Sequence, residues 1–161
     1  MVTGATGFLG EAVVYRMLVG KIFTPIAAVR GQTRLSGLCP VMLFSLDGSS
    51  VMPLLTNVQV VIHCAARVHV TAASSTDALA EFRRVNVDGS ILLARKAAQA
   101  GVKRFIFISS INVNGESTAP GYPFTGLSEP APVDICGISK WEAEQALNQI
   151  SMDTGMEVVI I

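Results

Sequence analysis

Charge is what this sequence has least of. Only 15% of its residues are charged, and twelve lysines and arginines balance twelve aspartates and glutamates to a formal net charge of zero. That balance argues against a surface for nucleic acid or anionic lipid, so no nucleic acid and no membrane are expected among its partners. Long apolar runs are missing too. None approaches the roughly 18 residues a membrane helix needs, and no charged-then-apolar leader opens the chain. Cysteine is sparse: Cys39, Cys64 and Cys136 are an odd number at unrelated spacings. Neither a disulfide framework nor a metal site is indicated, and a reducing cytoplasm is the expected setting. No repeat, low-complexity tract or linker divides the 161 residues. Half of them are apolar, which suits one domain with its own core.

What the chain does have is glycine in a pattern. Val2-Thr3-Gly4-Ala5-Thr6-Gly7-Phe8-Leu9-Gly10 places three glycines three apart, between a short apolar lead and a helical pattern. This is the layout of a strand, a tight turn and a helix whose N-terminus faces a phosphate. Glycine serves the turn's backbone angles, the approach of a pyrophosphate and the packing of helix on sheet. Alone, the triplet fits any phosphate-cradling loop.

The order of elements narrows it. Glu11 to Leu18 has helical periodicity and ends at Gly20; Thr24 to Val29 reads as a strand closed by Arg30. Gly31 to Pro40 is loop, Val41 to Leu46 a strand, Asp47 to Ser50 a turn and Val51 to Leu55 one helical turn. Val58 to Cys64 is a buried strand. Asp77 to Ala100 reads as one long helix, capped by Thr76 or Asp77 and ended by Gly101. Arg104 to Ile108 is a strand, and Asn112 to Pro132 a loop long enough to be functional. Gly137 to Met152 is helical with Trp141, Ala143 and Leu147 as buried candidates, and Val158 to Ile161 is the last strand. The strands are continuous apolar runs, as when helices cover both faces. The expected fold is therefore α/β, a three-layer doubly wound parallel sheet. Both ends look cut, with a very short first strand and a last strand that stops with the chain, so a fragment is expected.

Ligands of such sheets bind at the C-terminal ends of the strands. After the first strand come Gly4, Thr6, Gly7, Phe8 and Leu9. After the second comes Arg30, with Arg34 nearby, where an acidic residue would bond an adenosine 2′-hydroxyl. An arginine there pairs with a 2′-phosphate and favours NADP; a solvated surface arginine is the equal alternative. Ser45, Leu46 and Asp47 lie where an adenine edge would sit. Ala65, Ala66 and Arg67 follow the fourth strand, small enough at the alanines to run beside ribose and pyrophosphate. His63 reads as a packed core histidine and Cys64 as a small buried filler. Ser109-Ser110 offers hydroxyls to a substrate oxygen, or is simply a turn. Cys136 and Lys140 share one helix face. A lysine beside a thiol lowers its pKa, while an ordinary helix start with an exposed lysine is the plainer reading.

Taken together, these stretches resemble the extended short-chain dehydrogenase/reductase family, in its NAD-dependent epimerase/dehydratase branch. The matching stretches are Thr3 to Gly10, His63-Cys64-Ala65-Ala66, Val85-Asn86-Val87-Asp88-Gly89, Ser109-Ser110 with Val113-Asn114-Gly115, and Gly137-Ile138-Ser139-Lys140. They come in the family's order and span the chain. The resemblance implies a Rossmann-like fold binding NAD or NADP, with a nucleotide-sugar substrate. It implies that the glycine loop holds the pyrophosphate and Asn86 holds the site's geometry. Ser110 takes the place of the catalytic serine or threonine, and Lys140 that of the lysine that binds the nicotinamide ribose. The implied reaction is hydride transfer at carbon 4 of a nucleotide-linked hexose, as a 4-epimerase or a 4-ketoreductase. It also implies a homodimer through a four-helix bundle, and a sugar-binding part beyond the sixth strand that this chain lacks.

One position departs from the pattern. The family's base is a tyrosine four residues before the lysine, and here that residue is Cys136. A phenol reaches several ångströms further than a thiol, and proton transfer needs heavy atoms about 2.6–3.2 Å apart or one bridging water. The lower thiol pKa, about 8.5 against about 10, does not repair reach. Tyr15 and Tyr122 lack the spacing to Lys140. Cys136 thus marks a disabled enzyme, a weak one working through a bridging water, or a catalytically inactive dinucleotide-binding regulatory or scaffold domain.

Overall fold

The computed structural model describes residues 1–48, 54–68 and 78–161. Six parallel strands form one sheet: β1 (Val2–Thr3), β2 (Ala27–Val29), β3 (Val41–Leu43), β4 (Val60–His63), β5 (Arg104–Phe107) and β6 (Glu157–Ile160). Their spatial order is β3-β2-β1-β4-β5-β6. Chain order reverses between β1 and β4, and the crevice at that switch point is where such sheets bind ligands. Val2 and Thr3 pair on one side with Ala27 and Ala28, and on the other with Ile62 and His63.

Alternation along the strands separates two cores. Val2, Ala27 and Val29 join Val14 of helix α1 (Phe8–Gly20). Ala28, Val61, Phe105 and Phe107 face the other way and pack with Leu93, Ala94 and Ala97 of α3 (Gly89–Gln99) and with Ala143, Leu147 and Ile150 of α4 (Ile135–Thr154). Helices thus cover both faces, which explains the uninterrupted apolar strands. The doubly wound parallel sheet expected from the sequence is the fold of the protein.

Several local expectations are corrected. The strand expected from Thr24 is regular only from Ala27, because Pro25 has no N–H to give. The strand expected to Leu46 ends at Leu43, so Ser45 and Leu46 belong to the loop. The long helix is not one α-helix. It runs as α2 (Ala78–Phe82), a π-helical stretch Arg83–Asp88, and α3. The wider turn holds Asn86, whose buried amide is engaged on every side (below); such turns recur at functional sites. Helix α4 starts two residues before Gly137. Trp141 is only half-buried, whereas Ala143 and Leu147 are fully enclosed. The expected caps Thr76 and Asp77, and most of the turn expected over Val51 to Leu55, lie outside the described residues.

Candidate functional site

One end of the site is made of backbone. Gly4 follows β1 with φ +62, a conformation that disfavours any side chain, and an added Cβ would stand 2.8 Å from the amide nitrogen of Ala65. Only glycine lets the end of β1 lie against the loop after β4. The Gly7 N–H donates to the Gly4 carbonyl at 2.8 Å, and Gly7 caps α1 in an extended conformation. A Cβ on Gly10 would run into that same Gly4 carbonyl. The three glycines are therefore one compact turn, and α1 begins at Phe8 with its first N–H groups and the positive end of its dipole beside it.

Next to this turn is a cavity of about 380 Å³. Gly4, Thr6 and Gly7 line it from the turn, Arg30 from the end of β2, Ser45 and Leu46 from the loop after β3, and Ala65, Ala66 and Arg67 from the loop after β4. Nine of the residues expected to bind cofactor thus meet around one space. Phe8 and Leu9 do not line it; the Phe8 side chain is 99% exposed and stands away. What they bring to the site is the backbone of the first helical turn. Arg34 is also out of the cavity, its guanidinium bonded twice to Glu11 at 2.7 and 2.9 Å. Cys64 is corrected from buried filler to a half-buried residue of the cavity wall. Sequence reasoning missed Arg84. It lines the cavity from the π-helical stretch and donates to the Asp47 carbonyl at 2.8 Å. A mid-helix arginine carries no sequence signal of this. It follows from the close packing of that helix on the loop after β3, where a Cβ on Gly89 would stand 2.7 Å from the Leu46 carbonyl.

The other end is made of side chains. Ser110 opens a short 3-10 turn, Ile111–Val113, and its hydroxyl accepts from the Asn112 N–H at 3.2 Å, which leaves its proton to donate. The start of α4 docks on this turn. A Cβ on Gly137 would stand 2.6 Å from the Asn112 carbonyl, and the Asn112 amide donates to Asp134 at 3.0 Å. Asp134 is the N-cap of α4, accepting from the N–H groups of Cys136 at 2.8 Å and Gly137 at 3.0 Å. These bonds, Gly137's first, hold its carboxyl below the usual range. An aspartate just before a helical run was a readable cap signal that the sequence reading passed over.

Lys140 is buried one turn into α4. Its ammonium donates to the Ile108 carbonyl at 2.7 Å and lies 4.4 Å from the centre of the Phe107 ring. Burial pulls its pKa down to about 8, against the attraction of Cys136, Cys64 and Glu144. It is therefore not the exposed lysine of an ordinary helix start. Cys136 is half-buried. Burial and then the charge of Asp134 push its thiol up, and Lys140 only partly opposes them. Lys140 does pull this pKa down, as expected, but desolvation and the Asp134 carboxylate together outweigh it, so the thiol is raised overall. Glu144, one turn beyond Lys140, accepts a hydrogen bond from the Ser109 hydroxyl, and burial raises its pKa.

Asn86 ties the two ends together. Its carbonyl accepts from the Arg67 N–H at 2.7 Å, and its NH₂ donates to the Arg67 carbonyl and the Ser139 hydroxyl, both at 3.0 Å. One amide thus fixes both the loop after β4 and the first turn of α4. Asn86, Ser110, Cys136 and Lys140 do not line the cavity. Asn86 bonds to Ser139 beside Lys140 on α4, and Ser110 sits on the turn against which the start of α4 docks. The backbone end suits a pyrophosphate, with the glycine turn and the first N–H groups of α1 bordering the cavity. The side-chain end offers a hydroxyl donor, a thiol and a buried ammonium. Among the described residues no helix is long and apolar enough to cross a membrane.

Comparison with known proteins agrees with this geometry. The profile of the NAD dependent epimerase/dehydratase family matches residues 1–161. A UDP-glucose 4-epimerase of Vibrio cholerae is 41% identical over 162 residues, covering 100% of this chain and 49% of that protein. Among solved structures, the UDP-glucose 4-epimerase of Thermotoga maritima with UDP-glucose superposes with a TM-score of 0.79 at 26% identity, over 99% of this chain and 53% of that one. A short-chain dehydrogenase/reductase superfamily protein from Agrobacterium tumefaciens with bound NAD gives a TM-score of 0.79 at 27% identity, over 99% and 47%. The chain spans about half the length of each of these relatives.

Proposed function

Because the chain belongs to the NAD-dependent epimerase/dehydratase family, we propose that it is the dinucleotide-binding part of an enzyme acting at carbon 4 of a nucleotide-linked sugar, with turnover impaired at Cys136. The observation that carries the reading is the glycine cradle opening on a cavity at the switch point of the sheet. In this reading Gly4, Gly7 and the first turn of α1 hold the pyrophosphate of NAD or NADP, and Ala65 and Ala66 flank it. Ser45 and Leu46 meet the adenosine. Arg30, on the cavity wall, is the residue placed to choose between a 2′-hydroxyl and a 2′-phosphate; Arg34, held by Glu11, is not.

When bound, the nicotinamide supplies a hydride acceptor and donor. Ser110 donates a hydrogen bond to the reacting sugar oxygen. Lys140, held by the Ile108 carbonyl, orients the nicotinamide ribose and contributes positive charge beside the proton-transfer position. Cys136 occupies that position with a thiol that is short and stays protonated at neutral pH, which makes it a poor base on both counts. The relatives named above are enzymes, which does not favour the scaffold alternative. A homodimer through a four-helix bundle of the helical stretch from Ala78 to Gln99 and α4 belongs to the same proposal.

Calorimetry with NAD+ and NADP+ tests the cofactor, and binding of neither rejects the reading. For the chemistry, the full-length protein and its Cys136→Tyr variant are assayed with UDP-hexoses and with a 4-keto sugar plus reduced cofactor. The variant is expected to gain about 100-fold or more, the usual worth of a placed acid–base group. No gain rejects disabled proton transfer at this position.

A further inference from the structure

A second set of buried polar groups runs behind the site, and nothing in the reaction above uses it. His63 is fully enclosed at the end of β4, with Phe105 and Phe107 rings 5.6 and 5.8 Å away. Its Nδ1 lies 2.6 Å from the Thr3 hydroxyl and its Nε2 2.9 Å from the Ser90 hydroxyl. The donors can be assigned from their neighbours. The Ser90 proton goes to the Asn86 backbone carbonyl at 2.6 Å, so Ser90 must accept from Nε2–H. Nδ1 is then an acceptor and Thr3 donates to it, while Thr3 accepts from the Ala65 N–H at 3.2 Å. The hydrogen bonds from His63 end on the Asn86 backbone carbonyl; a second leg leaves from its side-chain amide, which donates to the Ser139 hydroxyl, which donates to the Cys136 carbonyl at 2.8 Å.

We propose that His63 and Ser90 are positioning residues in a relay of two hydrogen-bonded legs, joined through Asn86, that couples the phosphate end of the site at Ala65 to the first turn of α4 at Cys136. The relay crosses β1, β4, the helix and α4. Every hydroxyl in it both donates and accepts, so it closes only with His63 in its neutral Nε2–H form. Ala65 lines the cavity and Cys136 does not. A ligand confined to the phosphate end therefore reaches Cys136 only through the protein. The proposal rests on the dinucleotide reading for its ligand.

The probe is ADP, which carries the adenosine and pyrophosphate and no nicotinamide. Alkylation of Cys136 by iodoacetamide is followed by peptide mass spectrometry, with Cys39 as the internal control. In the wild-type protein ADP is expected to slow alkylation of Cys136 about fivefold, the scale of one hydrogen bond's worth of coupling. In Ser90→Ala, on a helix that alanine suits, the protection should fall below about twofold while ADP still binds within about threefold of wild type. Thr3→Val, at the other end of the relay, should do the same. Histidine nitrogen NMR should show His63 protonated at Nε2 alone. Protection that survives in both variants, ADP bound without protection, or an Nδ1-protonated His63 each overturns the relay. Absence of ADP binding instead rejects the dinucleotide reading. The relay is then judged without ligand, where it requires Cys136 to react about fivefold faster in both variants, and an unchanged rate overturns it.

Discussion

The two ends of this site are built on different principles. The phosphate end is local and made of backbone: Gly4, Gly7 and Gly10 close on one carbonyl, and small residues after β4 leave room beside it. The α4 end is assembled from groups far apart in sequence. Asn86 reaches Arg67, 19 residues away, and Ser139, 53 residues away. Steric exclusion fixes the first end, where the requirement is that side chains be absent. Hydrogen-bond closure and burial of a charge fix the second, where the requirement is a set of protonation states. The first should therefore fail by volume and ignore pH, and the second should respond to pH.

The largest expected effect tests the steric end. Gly10→Ala would ordinarily stabilise a helix, since alanine is better than glycine by about 1 kcal/mol in a helix interior. Here the new methyl collides with the Gly4 carbonyl. We expect destabilisation of about 3 kcal/mol in urea unfolding, the same at pH 7 and pH 9. A variant more stable than wild type would show that the close approach does not define the turn.

Next in size is the pH response of the buried charge. Lys140 has a folded pKa of about 8 and an ordinary value of 10.5. Below pH 8 both folded and unfolded chains carry the proton, and the cost of burying the cation is fully present. Between about pH 8 and 10.5 the unfolded chain binds more protons, so stability rises with pH. Relative to Lys140→Met, the wild type should gain about 3 kcal/mol across that window. Urea titrations at several pH values measure it, and a constant difference would break the contrast between the ends. His63 has the same sign on the acid side. Burial, and then Lys140, lower its pKa to about 3, so its contribution is complete above pH 6.5 and lost as pH falls toward 3.

The unequal legibility of the two ends has the same cause. Period and glycine spacing are local, so the sheet, the turn and the residues at the strand ends could be read from Gly4, Arg30, Ser45 and Ala65 in sequence. His63 was also read correctly as a core histidine, although its relay partners were not foreseen. What escaped depends on distant neighbours. Arg84 reaches the cavity because its helix packs tightly on the Leu46 loop. The π-helical turn forms around Asn86, whose partners lie on two other elements. The Cys136 pKa was misjudged because spacing showed Lys140 but neither the burial nor the carboxylate of Asp134. Asp134 itself was legible as a cap, and only the choice of Gly137 as the helix start hid it.

The smallest effects ask what holds α4 in place. Asp134 caps its first turn and binds the Asn112 amide, while Arg83 and Glu142 form an ion pair at 2.6 Å between the π-helical stretch and α4. Both connect α4 to a neighbour, yet they differ in kind. Asp134→Ala leaves two backbone N–H groups without their acceptor and should cost about 1–2 kcal/mol. It should also let the Cys136 thiol ionise at lower pH, since the opposing carboxylate is gone while Lys140 remains. The pH profile of Cys136 alkylation reads that shift. Arg83→Ala removes an exposed pair, screened by water and salt, and should leave the unfolding midpoint within error. If the two variants cost the same, surface charge positions α4, and the side-chain end does not depend on buried hydrogen bonds in the way its geometry implies.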